Sequence, residues 1–442
     1  MSRQRGMTMI ELMVSLAIVM LVIAAATTAY LKLFKSYRTQ GRLAETYMAN
    51  LTGMELLRYD IEMAGFGLPA NVNGVVYTEA AAAPGNTSTL PYNPASVILN
   101  DSDNNANGNN YVPRAFALDS PNFPLPNYAT SDVLSIKSSA ANINPTSKKW
   151  SMITNPSGNP IAKCWGGAAL DPVMDFTSAP TYSANPDNFI ALSNYGTLVK
   201  AAAGTWLFPF NGSAPSQGYY GNISGILTGN IAPPTVQGQV YYIYGLDSNS
   251  GAHVMPFNRV DYYLASNPNP PKSCPPYTLS LYRSTIDQAT GGLDATPLID
   301  CVRDFQVAFG INTDPSGNAS PPGTFIWQSN LLQNALFAAG IPNTNNNAQM
   351  TAAQIQMYLR EVRVYVLYSE GLGDTSSSTG STNPNSNFRY TGTLTLGSDL
   401  PTPLSTFTPT GAQQQYRWKI IEIDVKPNNL LNLPGGTPGT FR

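Results

Sequence analysis

A long apolar segment opens the chain. The run Leu12–Leu31 contains no Lys, Arg, Asp, Gly or Pro, and a helix of about 20 residues spans roughly 30 Å, the thickness of the hydrocarbon core of a bilayer. An ordinary secretory signal has a shorter apolar region followed by a small-residue cleavage site. Here the small residues Ala24–Ala26 lie inside the run without a polar flank. The pattern predicts a transmembrane helix over residues 7–31.

The apolar pattern continues beyond this span with helical spacing. No proline occurs before Pro69, and apolar residues at steps of three and four positions predict an amphipathic extension of the same helix over residues 32–65. The segment Gly65–Pro69 predicts the end of the helix. We expect the first half to lie in lipid and the second half to pack on an exported domain. The predicted packing stripe is Ala44, Tyr47, Met48, Leu51, Met54, Leu57 and Ile61.

Residues 66–442 contain short apolar alternations that are typical of β-strands. Because these strands follow one another without crossover helices, we expect an antiparallel sheet with one face packed on the helix, which is an α+β fold. A short helix is predicted over Ala352–Leu359. The alternating sets are Tyr277, Leu279 and Leu281; Phe305, Val307 and Phe309; and Val362, Val364, Val366 and Tyr368.

Three stretches rich in Asn, Pro, Gly, Ser and Thr interrupt this pattern at residues 73–130, 138–238 and 370–415. Such composition predicts loop-rich insertions on the sheet, with residues 374–387 as a flexible loop. The tryptophans expected to order the middle insertion in part are Trp150, Trp165 and Trp206.

Composition narrows the range of functions. Charged residues make up 11% of the chain and the net charge is -2, which does not favour a nucleic-acid partner, since such proteins usually present a basic face. The segment Lys148–Trp150 is weak evidence for DNA contact. His253 is the one histidine, and the chain has no phosphate-binding loop, metalloprotease motif or dinucleotide fingerprint. We therefore expect no enzymatic activity and no cofactor.

Glu11 is a single carboxylate at the edge of the apolar segment, just after the basic leader Met1–Gly6. An ionised side chain at mid-bilayer costs roughly 2.5 kcal/mol or more, so it normally has a partner. Glu11 could be a helix-start residue favoured by the helix dipole. It could instead pair with a new amino terminus if the chain is cut after Gly6. Basic residues flank both ends of the span, so charge counting does not set its orientation.

The segment Gly6–Glu11 (GMTMIE) resembles the processing signature of type IV pilins and type II secretion pseudopilins. This resemblance implies that a prepilin peptidase cuts after Gly6 and N-methylates Met7. It also implies that Glu11 pairs with the amino terminus of a neighbouring subunit during assembly. The leader is then residues 1–6. The chain would cross the inner membrane once with a periplasmic domain, and would later reach the pilus or the cell surface.

Further segments resemble PilW-like minor pilins, in the same order along the chain. They imply a minor type IV pilin that primes or caps the pilus, with other minor and major pilins as partners. The alternatives are a minor pseudopilin of a type II secretion system and a pilus-associated adhesin or DNA-uptake receptor that acts through the insertions. A membrane-tethered enzyme is a weaker alternative. The similar segments are Leu57–Phe66, Ser131–Lys137, Arg259–Leu264, Pro297–Gly310, Glu361–Tyr368 and Arg417–Ile423.

The cysteines and the acidic loops are the remaining candidate sites. Cys274 and Cys301 flank one predicted strand pair, and export would place them where a disulfide persists. Two free thiols, or a bond from either one to Cys164, remain alternatives. Alternating oxygen side chains in two loops suit Ca²⁺, although solvated turns explain them as well. The calcium candidates are Asp101, Asp103 and Asn105 in one loop, and Asn312, Asp314 and Ser316 in the other.

Overall fold

The computed structural model confirms the α+β fold, with a long N-terminal helix followed by an antiparallel sheet domain. The residues that it describes are 8–80, 91–102, 112–120, 131–154, 161–163, 187–193, 196–200, 204–209, 220–222, 240–247, 253–271, 273–312, 325–332, 349–370 and 390–431.

Three α-helices occur among these residues: α1 (Met9–Glu62), α2 (Ala352–Tyr358) and α3 (Asn428–Leu431). The strands are β1 (Phe116–Asp119), β2 (Val133–Ser138), β3 (Trp150–Thr154), β4 (Ile161–Lys163), β5 (Asn188–Ser193), β6 (Phe208–Pro209), β7 (Tyr220–Asn222), β8 (Val240–Asp247), β9 (Asn258–Ala265), β10 (Leu279–Ile286), β11 (Leu293–Asn312), β12 (Phe325–Gln328), β13 (Leu359–Glu370), β14 (Leu394–Leu396), β15 (Ser405–Phe407) and β16 (Arg417–Val425).

Helix α1 runs without interruption for 54 residues. Its segment Met9–Phe34 has the length and hydropathy of a membrane span, with a mean hydropathy of 2.6 and none of it buried. The helix ends before a turn in which Gly65 and Gly67 both adopt positive φ, which residues with a side chain rarely tolerate. This end agrees with the boundary that the sequence predicts.

The main sheet has eight strands in the described part of the chain. Its order is β1-β2-β9-β10-β11-β13-β16, with β12 added to β11, and each neighbouring pair is antiparallel. The register sets Val307 opposite Val364 and Phe309 opposite Val362. Apolar side chains therefore alternate onto one face and form the core against α1.

Only the last turns of α1 reach this core. Met54, Leu57 and Ile61 are buried against the sheet, and burying each side chain contributes about 1.5–3 kcal/mol. Tyr47 and Met48 belong to the predicted stripe but are exposed. The prediction that the whole stripe packs on the domain is therefore wrong, because the sheet contacts the helix only near its C-terminal end.

The middle insertion is more regular than its composition indicates. Strands β3 to β7 lie within residues 138–238 and join β8 in a second, six-stranded sheet with the order β6-β5-β8-β3-β4-β7. Strand β1 lies in the 73–130 stretch and extends the main sheet, whereas β14 and β15 pair within the 370–415 stretch. Residues 374–387 and Trp165 lie outside the described residues.

Tyr277 does not belong to the strand that its alternation predicts. Strand β10 starts at Leu279, and Tyr277 has a φ of 66°, which is incompatible with extended backbone. The predicted helix at Ala352 is present as α2, and Thr351 caps its first turn through Gln354.

Candidate functional site

The start of α1 is held by reciprocal hydrogen bonds between Thr8 and Glu11. The Thr8 backbone N–H and hydroxyl each donate to Glu11 Oε2 over 2.9 Å, and the Glu11 N–H donates to Thr8 Oγ1 over 3.4 Å. This is a capping box, which satisfies N–H groups that a helix start leaves unpaired. Gly6 and Met7 lie outside the described residues.

The capping box gives Glu11 a local role besides any role in assembly. A cut after Gly6 would leave Thr8 as the second residue and would retain every atom of the box. Glu11 is exposed in the single chain, so its carboxylate remains accessible to a cation on a neighbouring molecule. The two roles that the sequence leaves open are therefore compatible with each other.

A buried ion pair fastens α1 to the main sheet. Asp60 is 1% exposed, and its Oδ2 accepts hydrogen bonds from Arg283 Nε on β10 and from Tyr262 Oη on β9, each over 2.7 Å. Sequence reasoning missed this site, because no local pattern connects three residues that lie so far apart. A carboxylate on a helix face that is otherwise apolar is the one signal that could have indicated it.

A second group of charges lies on the sheet face that points away from α1. Lys137 on β2 and Arg259 on β9 are direct register partners and both are fully buried. Like charges placed opposite each other destabilise a sheet, so this pair requires buried anions nearby. The anions are Glu79, Asp101 and Asp261, and a third cation, Arg114, completes what we term the buried charge cluster.

The contacts within the buried charge cluster are short and mutually compensating. Lys137 Nζ lies 2.8 Å from Glu79 Oε2 and 2.5 Å from Asp101 Oδ2. Arg259 binds Glu79 over 3.0 Å and Asp261 over 2.8 Å. Burial opposes the ionisation of Asp101, but Arg114 and Lys137 together hold the pKa of Asp101 below its ordinary value.

This arrangement corrects the interpretation of Asp101 as a calcium ligand. Its Oδ1 accepts from Arg114 Nε over 2.5 Å and its Oδ2 contacts Lys137 Nζ, so two protein cations occupy the position that a metal ion would need. Asn312 is buried at the end of β11, opposite Phe325. The other calcium candidates, Asp103, Asn105, Asp314 and Ser316, lie outside the described residues. Within those residues, no three His, Cys, Asp or Glu side chains form a metal-binding group.

Cys274 and Cys301 are joined in a disulfide, with their Cα atoms 4.8 Å apart. The bond ties the loop before β10 to β11, its neighbour in the main sheet. Cys164 lies outside the described residues.

The two lysines of the predicted DNA-contact segment have partners within the domain. Lys148 Nζ donates to the Ala140 carbonyl over 2.7 Å and lies 4.6 Å from the centre of the Tyr59 ring. Burial lowers the pKa of Lys148 to about 8. Lys149 Nζ lies 2.6 Å from Asp187 Oδ2. Both side chains therefore contribute to packing of the domain.

Comparison with protein-family models identifies the prokaryotic N-terminal methylation motif at residues 1–27. No curated protein and no solved structure matches the chain. The motif covers the leader, Glu11 and most of the apolar span, and α1 continues from it without interruption. The motif and the membrane-length helix together support a type IV pilin-like family for this chain, which implies processing by a prepilin peptidase and assembly with other pilin-like subunits.

Proposed function

We propose that the protein is a minor type IV pilin, a structural subunit that primes or caps pilus assembly. The observation that carries this proposal is the continuity between the methylation motif at residues 1–27 and a single 54-residue helix that ends in a β domain. The proposal includes cleavage between Gly6 and Met7, methylation of Met7, and a periplasmic position of the domain before assembly.

The long exposed part of α1 supports a role in assembly. The apolar side chains from Met9 to Phe34 are exposed and lie outside the core of the β domain. A lipid bilayer would surround these side chains before assembly, and the helices of neighbouring subunits would cover them afterwards. Glu11 would then pair with the amino terminus of a neighbour, in a setting where an unpaired charge is costly.

The position of the PilW-like segments supports the minor-pilin alternative. They fall at the C-terminal end of α1 and on β2, β9, β11, β13 and β16, all of which belong to the main sheet. All of the similar segments thus belong to one structural unit, the end of α1 and the main sheet, although the intervening strand β10 is not among them. The second sheet lies outside this unit.

Two other functions use the same N-terminus. A minor pseudopilin of a type II secretion system would be processed in the same way. A pilus-associated adhesin is favoured by one observation, the six-stranded second sheet built largely from residues 138–238, which enlarges the domain beyond what helix packing requires.

Deletion of the gene distinguishes these functions. A minor pilin predicts loss of surface pili and twitching with normal protein secretion, and a pseudopilin predicts the reverse. An adhesin predicts normal piliation with reduced attachment. Purification of the processed protein from membranes should recover other pilin subunits. Recovery of secretion-system subunits alone would contradict the proposal.

A further inference from the structure

The buried charge cluster places one lysine in contact with two carboxylates. Lys137 Nζ lies 2.5 Å from Asp101 Oδ2, and it lies 3.0 and 2.8 Å from the two oxygens of Glu79. The three side chains are between 0 and 3% exposed. Because the carboxyl carbon is one bond beyond Oδ2, Nζ lies roughly 3–3.5 Å from Asp101 Cγ, a separation short enough for attack once the amine is aligned with the carbonyl.

The surroundings favour reaction at this contact. Exclusion of water removes the solvation that favours separate charges. The reactive form has one proton moved from Nζ to Oδ2 across the 2.5 Å contact, and it is the minor form, because Arg114 and Lys137 keep the pKa of Asp101 below its ordinary value. The same cluster contains Arg114 and Arg259, whose guanidinium groups stay protonated and do not act as nucleophiles.

We propose that Lys137 and Asp101 form an intramolecular isopeptide bond, with Glu79 carrying the proton. The Lys137 amine attacks Asp101 Cγ and the C–N bond forms. Glu79 accepts a proton from Nζ and returns it to Oδ2. The C–O bond to Oδ2 then breaks and one water leaves. One ammonium and one carboxylate are thereby converted to one amide and one water, with no oxidant or further reactant.

Arg114 stabilises the charge that develops in this reaction. Its Nε lies 2.5 Å from Asp101 Oδ1, the oxygen that becomes negative in the tetrahedral intermediate. A fixed cation aimed at a developing oxyanion is an effective source of rate enhancement in a dry site. After the reaction, the carboxylates Glu79 and Asp261 and the guanidinium groups of Arg114 and Arg259 remain in the cluster, so its formal charges still balance.

The bond has a defined structural consequence. It joins β2 of the main sheet to the segment 91–102, across 36 residues of sequence. That segment lies on the sheet face away from α1, where the ion pairs of the cluster otherwise hold it. The inference concerns the folded domain only and does not depend on the proposed function.

A second lysine supplies a control within the same chain. Lys149 Nζ lies 2.6 Å from Asp187 Oδ2, but its side chain is 11% exposed, whereas that of Lys137 is 0% exposed. Water that reaches this contact solvates both charges and favours the ion pair over the amide. We therefore expect this second pair to remain ionic, and Lys149→Arg serves as the matched variant.

The test is a tryptic map of the full chain purified from membranes. Trypsin cuts after Arg58, Arg114, Lys137 and Lys148, but not after an acylated lysine. The bond predicts one product in which residues 59–114 are joined to residues 115–148, one water lighter than the sum of the two. Fragmentation of this product should place the cross-link between Asp101 and Lys137.

Three variants define the mechanism. Lys137→Arg keeps the positive charge but forms no amide. Trypsin should therefore release residues 59–114 and residues 115–137 of this variant as separate peptides. Glu79→Gln removes the proton carrier and should lower the cross-linked fraction at least tenfold, and Lys149→Arg should match the wild type. Recovery of unmodified 59–114 and 115–137 from the folded wild-type chain would overturn the inference, and this result does not depend on whether any variant folds.

Discussion

The Asp60 carboxylate on α1 accepts a hydrogen bond from Arg283 Nε on β10 over 2.7 Å, although 223 residues separate the two in sequence. This buried pair fastens the membrane-anchored helix to the sheet domain. Asp60→Ala would leave the Arg283 charge buried without its anion, which costs roughly 3–5 kcal/mol. We expect a loss of that order in the free energy of unfolding, measured by denaturant titration of the full chain in detergent.

Arg58→Ala is the matched control for Asp60→Ala. Arg58 is half exposed and pairs with Glu62 on the same helix over 3.1 Å. Such surface pairs contribute about 0.5 kcal/mol or less. An equal effect of the two variants would mean that the buried pair does not fasten the helix to the sheet.

Variants at Thr8 and Glu11 separate capping from assembly. Glu11→Gln retains a capping box, since Gln also accepts from the N-cap residue, but it removes the charge. Thr8→Val removes the box but keeps the Glu11 carboxylate. If Glu11 pairs with a neighbour's amino terminus, Glu11→Gln should abolish most co-purification with other pilin subunits, and Thr8→Val should leave it nearly unchanged.

The processing state must be checked by mass in both variants, because uncut precursor would also fail to assemble. Normal co-assembly of Glu11→Gln together with failure of Thr8→Val would assign Glu11 to capping alone.

Gly6→Val should block processing. A branched side chain at the position before the cut would prevent peptidase access, so the variant should retain Met1–Gly6 while the wild type begins at methylated Met7. Mass spectrometry of the purified N-terminal peptide measures both. A mature, assembled protein that still carries Met1–Gly6 would contradict the processing that the motif implies.

Removal of the disulfide should destabilise the domain. The bond between Cys274 and Cys301 closes a loop with a sequence separation of 27, and a loop of this size contributes roughly 3 kcal/mol. Cys274→Ser with Cys301→Ser should unfold at lower denaturant concentration than the wild type. Reductant should lower the denaturant concentration at which the wild type unfolds to the value of the variant, and it should leave the value of the variant unchanged. A peptide map showing Cys164 bonded to either residue would contradict this pairing.

Asp132 should make stability depend on pH near neutrality. Burial raises the pKa of Asp132 to about 7, and the nearby Asp304 and Asp119 carboxylates raise it further, against the hydrogen bonds from Ser120 and Val307. The folded state therefore binds a proton that the unfolded state has released, so stability falls as pH rises from about 4 to about 7.

Asp132→Asn should remove this dependence. The variant should be more stable than the wild type by roughly 1–3 kcal/mol at pH 8 and close to it at pH 4. Urea unfolding at both pH values measures the difference. A variant that loses stability equally at pH 4 and pH 8 would show that Asp132 is ionised in the folded state.

The order of apolar residues was sufficient to predict α1, its end near Gly65, the α2 turn and the α+β class. These features depend on local periodicity and on glycine at positive φ, both of which are visible in a short window of sequence. The short motif around Gly6 and Glu11 likewise indicated a type IV pilin-like N-terminus, because all of its residues are neighbours in the chain.

Tertiary structure decided the rest. It buried Met54 but left Tyr47 exposed on the same helical stripe, and it arranged a loop-like composition into a second sheet. It also paired Asp60 with Arg283, and Lys137 with Asp101 and Glu79. The physical reason is that burial and ion pairing depend on which distant segments meet. The partner of a charged residue cannot be predicted from the nearby sequence, because the sheet order and register determine which distant residues meet.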